Sequence, residues 1–92
     1  MLKKSFLVTS EYGIHARPAT RLVNLAMTFE SEIDLTAMGK TINLKSIMGL
    51  MSLGVYKGER VTIGCDGRDE AEALEKITDF ILTESIGRLA DE

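Results

Sequence analysis

The chain has 92 residues, a net charge of −3 and no tryptophan; 45% of it is apolar and 5% aromatic, which fits one small domain over residues 1–92 with a modest aliphatic core. The mildly acidic balance, with no basic run and no aromatic platform, excludes nucleic-acid binding as a main role. A lone Cys65 excludes an internal disulfide and a cysteine-based metal site, and suits a reducing, cytoplasmic setting.

Met1-Leu2-Lys3-Lys4 is basic, but no long apolar run follows, so neither a signal peptide nor a membrane span is expected. Leu2 to Thr9 alternates as a strand does. Leu2, Phe6 and Val8 face one way, with Lys4 interrupting, and Lys3, Ser5 and Thr9 face the other. Ser10-Glu11-Tyr12-Gly13 is then a loop. From Ala16 to about Met27 the period becomes helical, with Ala19, Leu22, Val23 and Ala26 on one face. Arg17, Arg21, Asn24 and Thr28 form a polar stripe. Helix formation does not need two arginines one turn apart; an anionic partner or an acidic protein surface would reward them.

Ser31 to Ala37 predicts a second strand with Ile33, Leu35 and Ala37 inward. Met38-Gly39 predicts a two-residue hairpin turn, and Lys40 to Leu44 a third strand with Ile42 and Leu44 inward. Ser46 is a good N-cap and Gly54 a good stop for a short Ile/Met/Leu-rich helix. One face of that helix should be buried and the rest exposed as an adaptable contact patch. Tyr56-Lys57-Gly58 turns into a fourth strand, Glu59 to Cys65. Asp69 with Glu72 has the spacing of a capping box for a last helix to about Ser85, whose inner face is Ala73, Leu74, Ile77, Phe80 and Ile81. Gly87 should end it, leaving Arg88 to Glu92 as a mobile tail. The expected fold class is α+β: a four-stranded, largely antiparallel sheet with three helices on one face.

The chemistry concentrates at Gly13-Ile14-His15-Ala16-Arg17-Pro18-Ala19-Thr20, which holds the chain's one histidine and one proline. Pro18 fits the first turn of a helix, where its missing N–H loses no bond. His15 then stands at the cap. A helix N-terminus offers free N–H groups and partial positive charge, and Arg17 adds a forked cation suited to phosphate. Imidazole, with an unperturbed pKa of about 6.5, is a competent nucleophile near neutral pH. A phosphorylated histidine is the sharp reading; a plain capping histidine is the bland one. Metal binding lacks a second histidine, and a hydrolase triad lacks both a nucleophile elbow and a pocket. Ser46 can be an N-cap and nothing more, or an N-cap that tolerates an added phosphate.

The two segments together resemble the HPr family, the histidine-containing phosphocarriers of the bacterial phosphoenolpyruvate:sugar phosphotransferase system. Gly13 to Thr20 is similar to the family's active-site signature. Lys45-Ser46-Ile47-Met48-Gly49-Leu50-Met51-Ser52-Leu53-Gly54 is similar to its second signature in Gram-positive form. The resemblance spans essentially the whole chain and implies an open-faced β-sandwich. It implies that His15 accepts a phosphoryl group on Nδ1 from enzyme I and passes it to enzyme IIA domains. Arg17 and the backbone N–H groups of Ala16 and Arg17 would hold the phosphate. Ser46 would be the target of HPr kinase/phosphorylase, and the modified form a corepressor with the catabolite control protein. Arg17, Thr20, Arg21, Ile47, Met48 and Met51 are the expected docking surface. No cofactor and no metal are expected, nor any membrane insertion, and the acting form is expected to be a monomeric carrier rather than an enzyme. The rival is a purely regulatory HPr-like module outside sugar transport. Tyr12 departs from the family, replacing the small polar residue usual just before the signature glycine.

Overall fold

The strand at Leu2–Val8 (β1) runs into a loop and then the helix Ala16–Ala26 (α1). The hairpin Glu32–Ala37 (β2) and Lys40–Asn43 (β3) follows, then the short helix Ile47–Leu53 (α2), the strand Arg60–Asp66 (β4), the helix Glu70–Thr83 (α3) and a last strand Gly87–Leu89 (β5). The computed structural model describes residues 1–90. One antiparallel sheet has the order β3-β2-β4-β1-β5. The three helices cover one face of it.

Alternation sets the two faces. Phe6 pairs with Val61, Ile63 with Leu35, and Ile33 with Cys65, so these side chains line up on the helix side. Phe6, Leu22, Leu35, Leu44, Leu50, Ile63 and Ile77 are fully buried there. Burying side chains of this kind stabilises by about 1.5–3 kcal/mol each before entropy is subtracted. On the open face a row of hydroxyls crosses the strands: Ser5 Oγ lies 2.8 Å from Thr62 Oγ1, and Thr36 Oγ1 2.7 Å from Thr41 Oγ1. The Met38-Gly39 turn has positive φ at both residues, 55° and 76°, the primed geometry that a two-residue hairpin needs.

Five expectations are corrected. The sheet has five strands, not four. Gly87 does not stop α3; it opens β5, whose Phe6–Leu89, Leu7–Arg88 and Val8–Gly87 pairs cover the edge of β1. A side chain at Gly87 would meet the Leu7 carbonyl oxygen at 2.6 Å, so the glycine serves close strand approach. Arg88 and Leu89 are therefore sheet, not tail; Asp91 and Glu92 lie outside the described residues. The stop of α3 is Ser85 at φ 58°, with Ile86 N–H bonded to the Ile81 carbonyl at 3.0 Å and Ser85 N–H to that of Leu82 at 3.3 Å, a Schellman arrangement.

The Asp69–Glu72 capping box does not form. Asp69 makes no side-chain cap bond. Its carboxylate instead accepts from Glu30 N–H at 2.9 Å, Ser31 N–H at 3.0 Å and the Ser31 hydroxyl. The long-range contact outcompetes the local one because it satisfies two backbone donors and a buried hydroxyl together. Leu2 was expected inward and is 40% exposed, because it lies at the end of β1.

Candidate phosphoryl-acceptor site

The loop between β1 and α1 is fastened to the rest of the molecule largely by backbone hydrogen bonds, with an exposed Lys57–Glu11 ion pair at 3.4 Å beside them. Thr9 and Ser10 N–H groups bond the Ile86 carbonyl, Gly13 N–H bonds that of Ser10 at 3.0 Å, and Ile14 N–H that of Val55 at 3.1 Å. Gly13 sits at φ +66°, and a Cβ there would lie 2.2 Å from the Val55 oxygen. Glycine is thus required both for the left-handed turn and for the approach of the two backbones. Ile14 is 8% exposed and plugs into the core. The next residue, His15, is thrown outward and is exposed.

His15 is the N-cap of α1, in extended conformation, with its carbonyl accepting from Ala19 N–H at 2.9 Å. Its side chain makes no capping bond. Ala16 and Arg17 are the first helical residues, so their N–H groups have no intrahelical acceptor, and Pro18 has none to offer. The result is two directed donors beside the imidazole. No acidic residue stands in this first turn to compete for them. Arg17 is exposed and, among the described residues, enters no ion pair, so its guanidinium is available to an anion. Thr20 is also exposed. The Tyr12 ring stands edge-on to the His15 ring, with centroids 6.1 Å apart.

Arg21 differs from Arg17. Its guanidinium forks onto the Glu84 carboxylate at 2.8 and 3.2 Å and lies 5.5 Å from the centre of the Phe80 ring. Two arginines on one stripe thus have different jobs: one is free, one ties α1 to the end of α3. No local pattern signals that pairing, because Glu84 is 63 residues away.

Ser46 caps α2, its Oγ accepting from Gly49 N–H at 3.0 Å. Gly54 ends α2 in the left-handed conformation, as expected. Leu50 points into the core at 2% exposure, while Ile47, Met48 and Met51 are 37, 80 and 42% exposed. Lys45 Nζ donates to the Phe29 carbonyl at 2.7 Å, fastening the start of α2 near the end of α1. The far end of α2 leads to Val55, the residue that holds Ile14. Ser46 therefore stands at the start of α2, and the contact that holds the His15 loop lies just past its other end.

The residues missed in the sequence were Ile14 and Val55. Ile14 was visible as an apolar neighbour of the histidine, but the Val55 contribution is a carbonyl oxygen, which has no side-chain signal. Cavities of about 410, 350 and 210 Å³ lie elsewhere and none is lined by His15. The Cys65 thiol is buried in the sheet, and burial raises its pKa to about 11, which makes it a poor nucleophile.

An exposed imidazole at a helix start, with free amides and a free arginine and, among the described residues, no cavity around it, is open to an anionic group presented by another molecule. A family model described as the PTS HPr component phosphorylation site matches residues 2–83, and the chain belongs to the HPr family of phosphotransferase-system phosphocarriers. It resembles the histidine-containing phosphocarrier protein of mycoplasma at 36% identity and a TM-score of 0.91, over 94% of this chain and 98% of that one. It is similar to the phosphocarrier protein HPr of Bacillus anthracis at 40% identity and a TM-score of 0.80, over 86% and 94% of the two chains. It is also similar to Crh of Bacillus subtilis, described as a catabolite repression protein forming a swapped dimer, at 44% identity and a TM-score of 0.71, over 91% and 97%. Among the described residues no helix is long and apolar enough to cross a membrane.

Proposed function

We propose that this chain is a full phosphocarrier with a second, regulatory site. His15 takes a phosphoryl group from enzyme I, originating in phosphoenolpyruvate, and hands it to enzyme IIA domains. An imidazole nitrogen lone pair attacks phosphorus; the new N–P bond forms as the bond from phosphorus to the donor breaks, its electron pair leaving with the donor. Ala16 and Arg17 N–H groups and the Arg17 guanidinium neutralise charge on the transferred group. The observation that carries this reading is the exposed His15 beside an unpaired Arg17 at the start of α1. The protein acts as a carrier in the cytoplasm and not as an enzyme, since it turns over only with its partners.

Ser46 is the site for HPr kinase/phosphorylase, and its phosphorylated form the one recognised by the catabolite control protein. A phosphate adds about −1.5 to −2 charges. That charge acts chiefly on whatever docks across Ser46 and the exposed face of α2. Thr20, Ile47, Met48 and Met51 form that docking surface with Arg17, and Arg21 shapes its edge through Glu84. The monomer is the acting form, with β5 covering the β1 edge.

The second reading, a purely regulatory module, is favoured by the 44% identity to Crh. Phosphotransfer separates the two. Carrier labelled by enzyme I and phosphoenolpyruvate should lose its label to added enzyme IIA domains. Retention of label against every enzyme IIA offered, with normal Ser46 phosphorylation, would support the regulatory module instead.

A further inference from the structure

We propose that Tyr12 is a positioning residue for His15, holding the imidazole in one orientation before any donor arrives. The inference rests on the carrier reading above.

Tyr12 is 76% exposed, so core packing does not account for an aromatic residue there. Its ring meets that of His15 at 89°, with centroids 6.1 Å apart, inside the range of edge-to-face aromatic pairs. Among the described residues no other group is recorded against the imidazole. Its side chain makes no cap bond, and among the described residues it enters no hydrogen bond or ion pair. An exposed imidazole without such a contact samples several χ1 wells and a broad χ2 range within nanoseconds.

The platform beneath the pair is rigid where it needs to be. Gly13, between the two rings in sequence, is locked against Val55 and Tyr56, and the Ile14 N–H is bonded to Val55. Tyr12 and His15 thus stand on opposite sides of a fixed turn, and their relative placement is set by backbone. Phosphoryl transfer needs the nitrogen lone pair in line with phosphorus, so a preset ring orientation raises the fraction of encounters that react. An edge-to-face pair biases orientation by roughly three- to tenfold. Tyr12 itself makes no bond to phosphorus and moves no proton.

The test compares Tyr12→Phe, which keeps the ring, with Tyr12→Ser, which removes it. In the NMR spectrum of the unphosphorylated protein, Tyr12→Ser should erase the ring-current shift on the His15 ring protons and average the His15 χ1 couplings, while Tyr12→Phe keeps both. With enzyme I and phosphoenolpyruvate, Tyr12→Ser should lower kcat for its own phosphorylation three- to tenfold and leave KM within twofold, with Tyr12→Phe near wild type. Unchanged His15 couplings in Tyr12→Ser overturn the proposal, as does a loss confined to KM, which would make Tyr12 a docking contact only. If the wild type takes no phosphate, the carrier reading fails, and the NMR comparison still decides whether Tyr12 orders His15.

Discussion

Gly13→Ala attacks the joint on which His15 stands. At φ +66° an L residue is in the left-handed region, which costs about 1–2 kcal/mol. The added Cβ would lie 2.2 Å from the Val55 oxygen and 2.9 Å from the Tyr56 Cα, both backbone atoms that cannot swing aside as a side chain would. Relief requires the 54–57 segment and the loop to part, which breaks the Ile14 N–H bond to Val55, worth about 0.5–1.5 kcal/mol net. The sum is about 1.5–3.5 kcal/mol, and at about 4–8 °C per kcal/mol for a domain of this size the Tm should fall by roughly 6–28 °C. Thermal melting followed by circular dichroism measures it. At a temperature where the variant is still folded, His15 phosphorylation by enzyme I should also slow, because Ile14 no longer seats the residue beside it. A Tm within about 3 °C of wild type and an unchanged rate would refute the role given to this turn.

Three further outcomes are expected. Ser85→Gly relieves a left-handed residue at the end of α3 and should stabilise by about 0.5–1 kcal/mol, raising the Tm by a few degrees; a lower Tm would contradict the cap assignment. Thr78 Oγ1 is buried with no partner among the described residues, so Thr78→Val should raise the urea midpoint by an amount equivalent to about 1 kcal/mol. The Ser31 hydroxyl, then the Glu30 N–H, hold the Asp69 carboxyl below its ordinary pKa of 3.8. A carboxyl lowered by folding contributes stability that is complete above its unfolded value and is lost as pH falls through the folded one. The urea midpoint should therefore drop as pH falls below about 4, and Asp69→Asn should be weaker at pH 7 with a shallower drop in that window; an equally steep drop in the variant would contradict the assignment.

Local pattern and legibility went together. The inward faces of α1 and of β2 and β4 follow from period alone, and Ser46 caps α2 as its residue type suggests. The positive φ at Met38 and Gly39 was implied by a two-residue gap between alternating runs. What was not legible depends on distant chain. β5 has three residues, too few to show a period, and exists because the β1 edge is there to receive it. Asp69 forsakes its own helix for Ser31, and Arg21 spends its charge on Glu84. At the site, the histidine and arginine were readable as chemistry. The Val55 carbonyl that aims them was not, since any residue could supply it.

The central claim is that His15 carries a phosphoryl group, and the most direct measurement is its transfer to the purified protein from phosphoenolpyruvate through enzyme I. One acid-labile phosphate per chain should appear on the wild type and none on His15→Ala, with both proteins showing the same melting behaviour. Equal labelling of the His15→Ala variant, or acid-stable label on the wild type, would contradict the account.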